Sequence, residues 1–156
     1  MTDNYMILLV EDDPNDVLFL KRALAKNHIN NPVCAVPDGD EAIAYLSGNG
    51  KYSNRIEYPF PRVIILDLKM PRRGGLEVLE WLKEHPRYRV IPTLVLTSSK
   101  INEDVIKAYG LGANSYMVKP SNFDDLQQMI KTAHDYWLYC LKPEPEEVDH
   151  FNQEKI

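Results

Sequence analysis

Short runs of branched apolar residues alternate along this chain with longer stretches in which apolar positions recur every three or four residues. The runs are Met6–Val10, Val33–Val36, Val63–Leu66, Thr93–Leu96 and Tyr116–Val118. They lack a polar alternate face, as strands do when a parallel sheet is covered on both sides. Between them, Val17, Leu20 and Leu24 share one helical stripe, as do Ile43 and Leu46, and Leu76, Leu79 and Leu82. Val105 or Ile106 pairs with Tyr109. The last stripe is the longest: Phe123, Leu126, Ile130, Ala133, Trp137 and Leu141. Helix starts are predicted at Asp13, Asp38, Asn102 and Asn122, each a capping residue type. Asp13 and Asp38 precede Pro14 and Gly39. Five strand–helix pairs in alternation predict an α/β fold, a doubly wound five-stranded parallel sheet with helices on both faces.

Two segments break the pattern. Residues 47–61, SGNGKYSNRIEYPFP, form a connection longer than compact domains usually carry. Its Tyr52, Tyr58 and Phe60 are expected to fold back on the domain rather than form a contact surface. Residues 142–156 are rich in proline and acid and are expected to be a disordered tail, leaving residues 1–141 as a single domain.

Composition narrows the function classes. The formal net charge is -5 and the pI is near 5.4, which argues against a nucleic-acid-binding surface. Cys34 and Cys140 have neither C-x-x-C nor metal-site spacing, so free thiols in a reducing compartment are expected. The first residues, MTDNYMILLVEDD, lack a basic segment and a long apolar run. The expected location is cytoplasmic, with no membrane span. His28, His85, His134 and His150 have no spacing that suggests metal ligation, and Arg72 and Arg73 read as a solvated loop.

Chemistry enters where the strands end. In an open α/β sheet, ligands bind beyond the carboxyl ends of the strands. The first strand ends at Glu11-Asp12-Asp13, the third at Asp67, the fourth at Thr97-Ser98-Ser99 and the fifth at Lys119-Pro120. Parallel strands bring these side chains to one rim. Neighbouring carboxylates disfavour one another's ionisation unless a cation neutralises them. Mg²⁺ suits such an oxygen-rich site and leaves coordination positions for phosphate oxygens. Glu11, Asp12 and Asp67 supply three negative charges against the positive charge of Lys119, so a divalent ion would balance the remainder. A carboxylate nucleophile, a metal, an ammonium and the Thr97 hydroxyl together suit phosphoryl transfer to Asp67.

The motifs LLVEDDPND, ILDLKMP, VLTSS and YMVKP, in that order, resemble those of the receiver domain of two-component response regulators, the CheY-like fold, across residues 5–141. The resemblance implies that Asp67 is the phosphoacceptor and that a sensor histidine kinase is the donor. It implies Asp12 as a direct Mg²⁺ ligand, Glu11 as a ligand through water, and the Lys69 carbonyl as a further ligand. Thr97 would sense the phosphoryl group, Lys119 would pair with it, and Tyr116 would be the aromatic switch. The Lys119–Pro120 peptide would be cis. Asp13 stands one place beyond the acidic pair and is left as a cap. Lys69 and Ser99 would flank the route of attacking water. The 47–61 connection, VLTSS and LEWLKEHP are most similar to small regulators paired with bacterial phytochromes. That subgroup implies a homodimer through the fourth and fifth helices and the fifth strand, with Tyr109, Tyr116 and the Tyr136–Leu141 stretch on the face.

Two rival classes remain at this stage. A Mg²⁺-dependent aspartyl-phosphate phosphohydrolase would want an acid two residues after the nucleophile, where Lys69 stands, and a cap domain. A flavodoxin-like mononucleotide binder would want a Ser/Thr/Gly-rich phosphate loop in place of EDDPND. Output by DNA binding is not expected, because no basic helix follows the last stripe.

Overall fold

The computed structural model describes residues 4–140 together with 143, 147 and 148. The expected tail at 142–156, Leu141 and His150 fall wholly or largely outside the described residues. The strands are β1 (Met6–Val10), β2 (Val33–Val36), β3 (Pro61–Leu66), β4 (Thr93–Thr97) and β5 (Ser115–Val118). The helices are α1 (Pro14–Lys26), α2 (Gly39–Ser47), α3 (Gly75–Lys83), the single turn α4 (Pro86–Arg89), α5 (Asn102–Gly110) and α6 (Phe123–Leu138). A 3₁₀ turn covers Gly50–Tyr52. Because α4 is an extra element, the fourth and fifth helices expected from the sequence are α5 and α6.

All five strands are parallel, in the order β2-β1-β3-β4-β5. The expected doubly wound sheet is therefore present. Alternation along β1 sends Met6, Leu8 and Val10 to one face and Ile7 and Leu9 to the other. The first face packs with Tyr45, Leu46, Val78, Leu79, Leu82 and Ala108 of α2, α3 and α5. The second packs with Leu20, Ala23, Leu24 and Ile130 of α1 and α6. Leu8, Val10, Ile64 and Leu66 are completely buried, each stabilising the fold by about 1.5–3 kcal/mol relative to exposure.

Three of the four expected caps form. Asp13 accepts from the Asn15 N–H, Asp38 from Glu41, and Asn122 from Asp125. The fourth does not: Ile101 occupies the cap position and Asn102 is the first residue of α5. There the Ser99 hydroxyl accepts from the Ile101 N–H at 3.3 Å, so the turn is fixed from upstream.

The 47–61 connection folds back, as expected for its aromatics. Tyr52 is buried, and Tyr58 and Phe60 pack against the larger core cluster. Tyr45, Tyr52 and Tyr58 form a three-ring cluster with centroids 5.1–5.9 Å apart. Arg55 donates to the Tyr45 and Leu46 carbonyls at 2.7 and 2.6 Å, satisfying the exposed carboxyl end of α2. Arg72 and Arg73 are not merely solvated. They lie 3.2 Å from Asp38 and 3.1 Å from Asp40, tying the loop after β3 to the start of α2.

Candidate functional site

The site lies beyond the carboxyl ends of β1, β3, β4 and β5. Glu11 and Asp12 follow β1, and Asp67 follows β3. One oxygen of each lies within 4.8 Å of the others. Asp67 and Glu11 are buried and Asp12 is exposed. Parallel pairing in register sets this geometry: Val10 lies opposite Leu66, and the Asp67 N–H donates to the Val10 carbonyl at 3.0 Å.

The motif that follows Asp67 has a steric reason. The Gly75 N–H donates to the Leu68 carbonyl at 3.2 Å. A Cβ at Gly75 would press into the Asp67 carbonyl oxygen and lie 2.8 Å from Leu68 Cα. Glycine therefore lets α3 begin directly against the segment that carries Asp67.

Lys119 reaches the rim because its N–H donates to the Thr97 carbonyl at 2.8 Å, continuing the β4–β5 pairing. Its ammonium donates to Glu11 Oε1 at 2.5 Å, Asp16 Oδ2 at 2.7 Å and Asp67 Oδ2 at 3.2 Å. Burial opposes the Lys119 charge, but the bonds to Asp16 and Glu11 and the charge of Asp67 outweigh it and hold its pKa above the ordinary lysine value. Burial pushes Glu11 up to about 7, against the pull of the Lys119 hydrogen bond and with the Asp67 charge adding to the rise. One ammonium thus bonds three carboxylates, with Asp12 beside them, and the rim is more negative than three acids and a lysine would make it.

Thr97 is completely buried at the end of β4, with Oγ1 3.4 Å from the Ser99 N–H. The Lys69 N–H lies 3.4 Å from Asp67 Oδ1, so the peptide two residues beyond Asp67 faces the same carboxylate. Tyr116 is half-buried. Its hydroxyl donates to the Ser99 carbonyl at 2.9 Å, and its N–H donates to the Tyr109 hydroxyl at 3.1 Å. The expected cis Lys119–Pro120 peptide is not found: the bond is trans, the isomer that X–Pro peptides favour by about 0.5–1 kcal/mol.

Asp16 and Asp104 were not singled out from the sequence. Asp16 is the third residue of α1, and its place in the first turn after the acidic run was the available signal. Asp104 accepts from the Ser99 hydroxyl at 2.6 Å and pairs with Lys69 Nζ at 3.2 Å. These contacts, led by the Ser99 bond and joined by Lys69, lower its pKa against the opposing effect of burial.

The response regulator receiver domain matches residues 7–131, and the chain belongs to that family. It is a response regulator of two-component signal transduction. Among its relatives, response regulator Rcp1 of Synechocystis sp. (strain ATCC 27184 / PCC 6803 / Kazusa) is 38% identical over 133 residues, 85% of this chain and 88% of Rcp1. The phosphorylated cyanobacterial phytochrome response regulator RcpA superposes with a TM-score of 0.83 at 36% identity, covering 90% of this chain and 99% of RcpA. The Mn²⁺-bound form of Rcp1 gives 0.80 at 36% identity, covering 89% and 99%. Among the described residues, no helix is long and apolar enough to cross a membrane.

Proposed function

We propose that Asp67 accepts a phosphoryl group from a phosphohistidine of a sensor histidine kinase, and that the kinase is a phytochrome. The convergence of Glu11, Asp12 and Asp67 within 4.8 Å, with Lys119 on Asp67, carries this reading. A carboxylate oxygen of Asp67 attacks phosphorus, the N–P bond breaks, and its electron pair returns to the imidazole, leaving an acyl phosphate.

The donor set is all oxygen and closely spaced, which fits a hard divalent cation. Glu11, Asp12, Asp67 and the Lys69 carbonyl would hold it, and we assign Mg²⁺. The ion supplies positive charge for the phosphoryl oxygens. The protein's own residues do the rest. Lys119 pairs with one phosphoryl oxygen, and the Thr97 hydroxyl donates to another. That draw on Thr97 repositions the segment after β4, where Ser99 holds the Tyr116 hydroxyl. The α5–β5–α6 surface then changes its affinity for a partner. Tyr109, Tyr136, Leu138 and Tyr139 are exposed on or beside that surface and support a second copy of the chain as one such partner. Residues 1–141 are the switching unit, acting in the cytoplasm and dephosphorylating slowly on their own.

The phosphohydrolase reading is not favoured. Lys69 stands where that chemistry needs an acid, and its ammonium is paired with Asp104.

The test is incubation with Mg²⁺ and acetyl phosphate followed by intact mass. A single phosphoryl adduct that is lost in Asp67→Asn supports the proposal. Undiminished labelling of that variant removes Asp67 from the role, and rapid turnover of a generic phosphomonoester restores the enzyme reading.

A further inference from the structure

The segment that follows Asp67 is closed on itself and pinned to α2. The Gly75 N–H on the Leu68 carbonyl ties its two ends, so Lys69 lies inside a closed loop of residues 68–75. The far side of that loop is held from outside. The Gly39 N–H donates to the Arg73 carbonyl at 2.8 Å, and a Cβ at Gly39 would come within 2.5 Å of that oxygen. Glycine there lets the first turn of α2 touch the loop backbone. Beside this contact Arg72 has a φ of 60°, a left-handed conformation that residues with a Cβ seldom adopt. Its Nε lies 3.2 Å from Asp38 Oδ2. Asp38 is 1% exposed; its Oδ1 accepts from the Glu41 N–H at 2.9 Å to cap α2, and its Oδ2 makes no hydrogen bond. A buried carboxylate oxygen without a hydrogen bond is costly unless an opposite charge lies beside it. The Arg72 guanidinium is that charge, so the pair resists separation more than two exposed groups would. The strained backbone at Arg72 is therefore held through its own side chain.

We infer that Asp38 is a positioning residue for the divalent ion: through Arg72 it holds the 68–75 loop in the shape that presents the Lys69 carbonyl. The inference rests on the reading of Glu11, Asp12, Asp67 and the Lys69 carbonyl as a metal site. Glu11 and Asp12 directly follow β1 and Asp67 directly follows β3, so the sheet fixes where those carboxylates stand. The Lys69 carbonyl belongs to the loop, and its place depends on what pins the loop. A loop free to leave this shape must be ordered when the ion binds, and that ordering lowers affinity. The Asp38–Arg72 pair orders it beforehand. By linkage, a bound ion favours the pair to the same extent as the pair favours the ion.

The experiment titrates the full chain with Mn²⁺ and counts the free ion by electron paramagnetic resonance. Asp38→Asn keeps an oxygen to cap α2, because asparagine caps as well as aspartate, and loses the charge that faces Arg72. Arg72→Ala removes the other partner, a side chain that is 71% exposed, so it keeps the test valid if Asp38→Asn folds poorly. Each is expected to weaken Mn²⁺ binding by about fivefold, the scale of one lost pairwise contact. The double variant is expected to match either single one, and Arg72→Lys to recover part of the affinity. Charge alone would give the two single variants opposite signs, with Arg72→Ala binding Mn²⁺ more tightly. A second readout needs no metal: trypsin cleavage after Arg73 is expected to be several times faster in Asp38→Asn than in the parent chain. Parent affinity in both single variants overturns the inference, as do tighter binding by Arg72→Ala, multiplied effects in the double variant, or unchanged cleavage in Asp38→Asn. Failure of the parent chain to bind Mn²⁺ removes the metal reading itself, and the inference falls with it.

Discussion

Arg55 and Lys119 are both cations drawn to the end of a secondary-structure element, and they meet opposite surroundings there. Arg55 finds the neutral carbonyls of Tyr45 and Leu46 and completes them. The region around it is closed: Tyr45 donates to the Pro59 carbonyl at 2.7 Å, Tyr52 donates to Glu41, and three rings pack edge to face or tilted. Lys119 finds Glu11, Asp16 and Asp67, with Asp12 beside them, and cannot neutralise all four. The long connection is built for stability, whereas the rim carries unbalanced charge that a bound cation or a charge-carrying group can act upon. The contrast explains why the longest loop of the domain is a structural part and the site is assembled from strand tips.

The contrast breaks most visibly if the closed region is opened. Tyr45→Ala removes a completely buried ring and is expected to cost about 3–5 kcal/mol, read by chemical denaturation. The folded fraction of that variant should still take one phosphoryl group, because the hydrogen bond and ring contacts of Tyr45 run to Pro59, Tyr52 and Tyr58 of the long connection. Arg55→Met comes next. It leaves two helix-end carbonyls without a charged donor and should cost about 1.5–3 kcal/mol. Loss of labelling in either variant while it remains folded would show that the loop and the rim are one unit.

Opening the rim should have the opposite sign. In the absence of divalent ions, Asp67→Asn removes one of the three carboxylates that share a single ammonium beside Asp12. We expect it to stabilise the protein by about 1 kcal/mol, seen as a raised melting temperature. Added Mg²⁺ should raise the melting temperature of the parent chain more than that of the variant. A destabilised variant would mean that the Lys119–Asp67 bond outweighs the repulsion.

Legibility in the sequence follows the same division. The strands were plain because their apolar runs have no polar face. Asp67 and Lys119 were plain because each ends such a run, where a charge has no structural reason to be. Asp16 and Asp104 were hidden because an acid in the first turn of a helix is ordinary, favoured by the helix dipole. Only the register of α1 and α5 against the sheet turns them toward Lys119 and Lys69. Asn102 has the residue type of a cap, but the Ser99 side chain fixes the turn from upstream and leaves Ile101 in that place. The turn α4 escapes because four residues, Pro86–Arg89, are too few to show a helical period. The partners of Arg55, Arg72 and Arg73 depend on where loops fold, which periodicity does not encode.

The smallest effect separates the regions by pH. Burial, followed for Tyr45 by the nearby thiol of Cys34 and for Tyr52 by its bond to Glu41, raises both phenol pKa values above the ordinary range. The folded state therefore keeps these protons at a pH where the unfolded chain, with tyrosine values near about 10, has released them. Fewer protons on the unfolded state mean that stability falls as pH rises. The loss should be absent below about pH 9 and should grow above about pH 10. Denaturant midpoints measured on both sides of that point would show it, alongside phenolate absorbance that lags in the folded protein. Tyr52→Phe should flatten the slope, and Asp67→Asn should flatten it less, because the raised Lys119 pKa adds to the same alkaline loss and Asp67 is one contributor to it, behind the bonds to Asp16 and Glu11. An equal change in both variants would mean that alkaline sensitivity belongs to the whole domain and not to the closed region around Arg55.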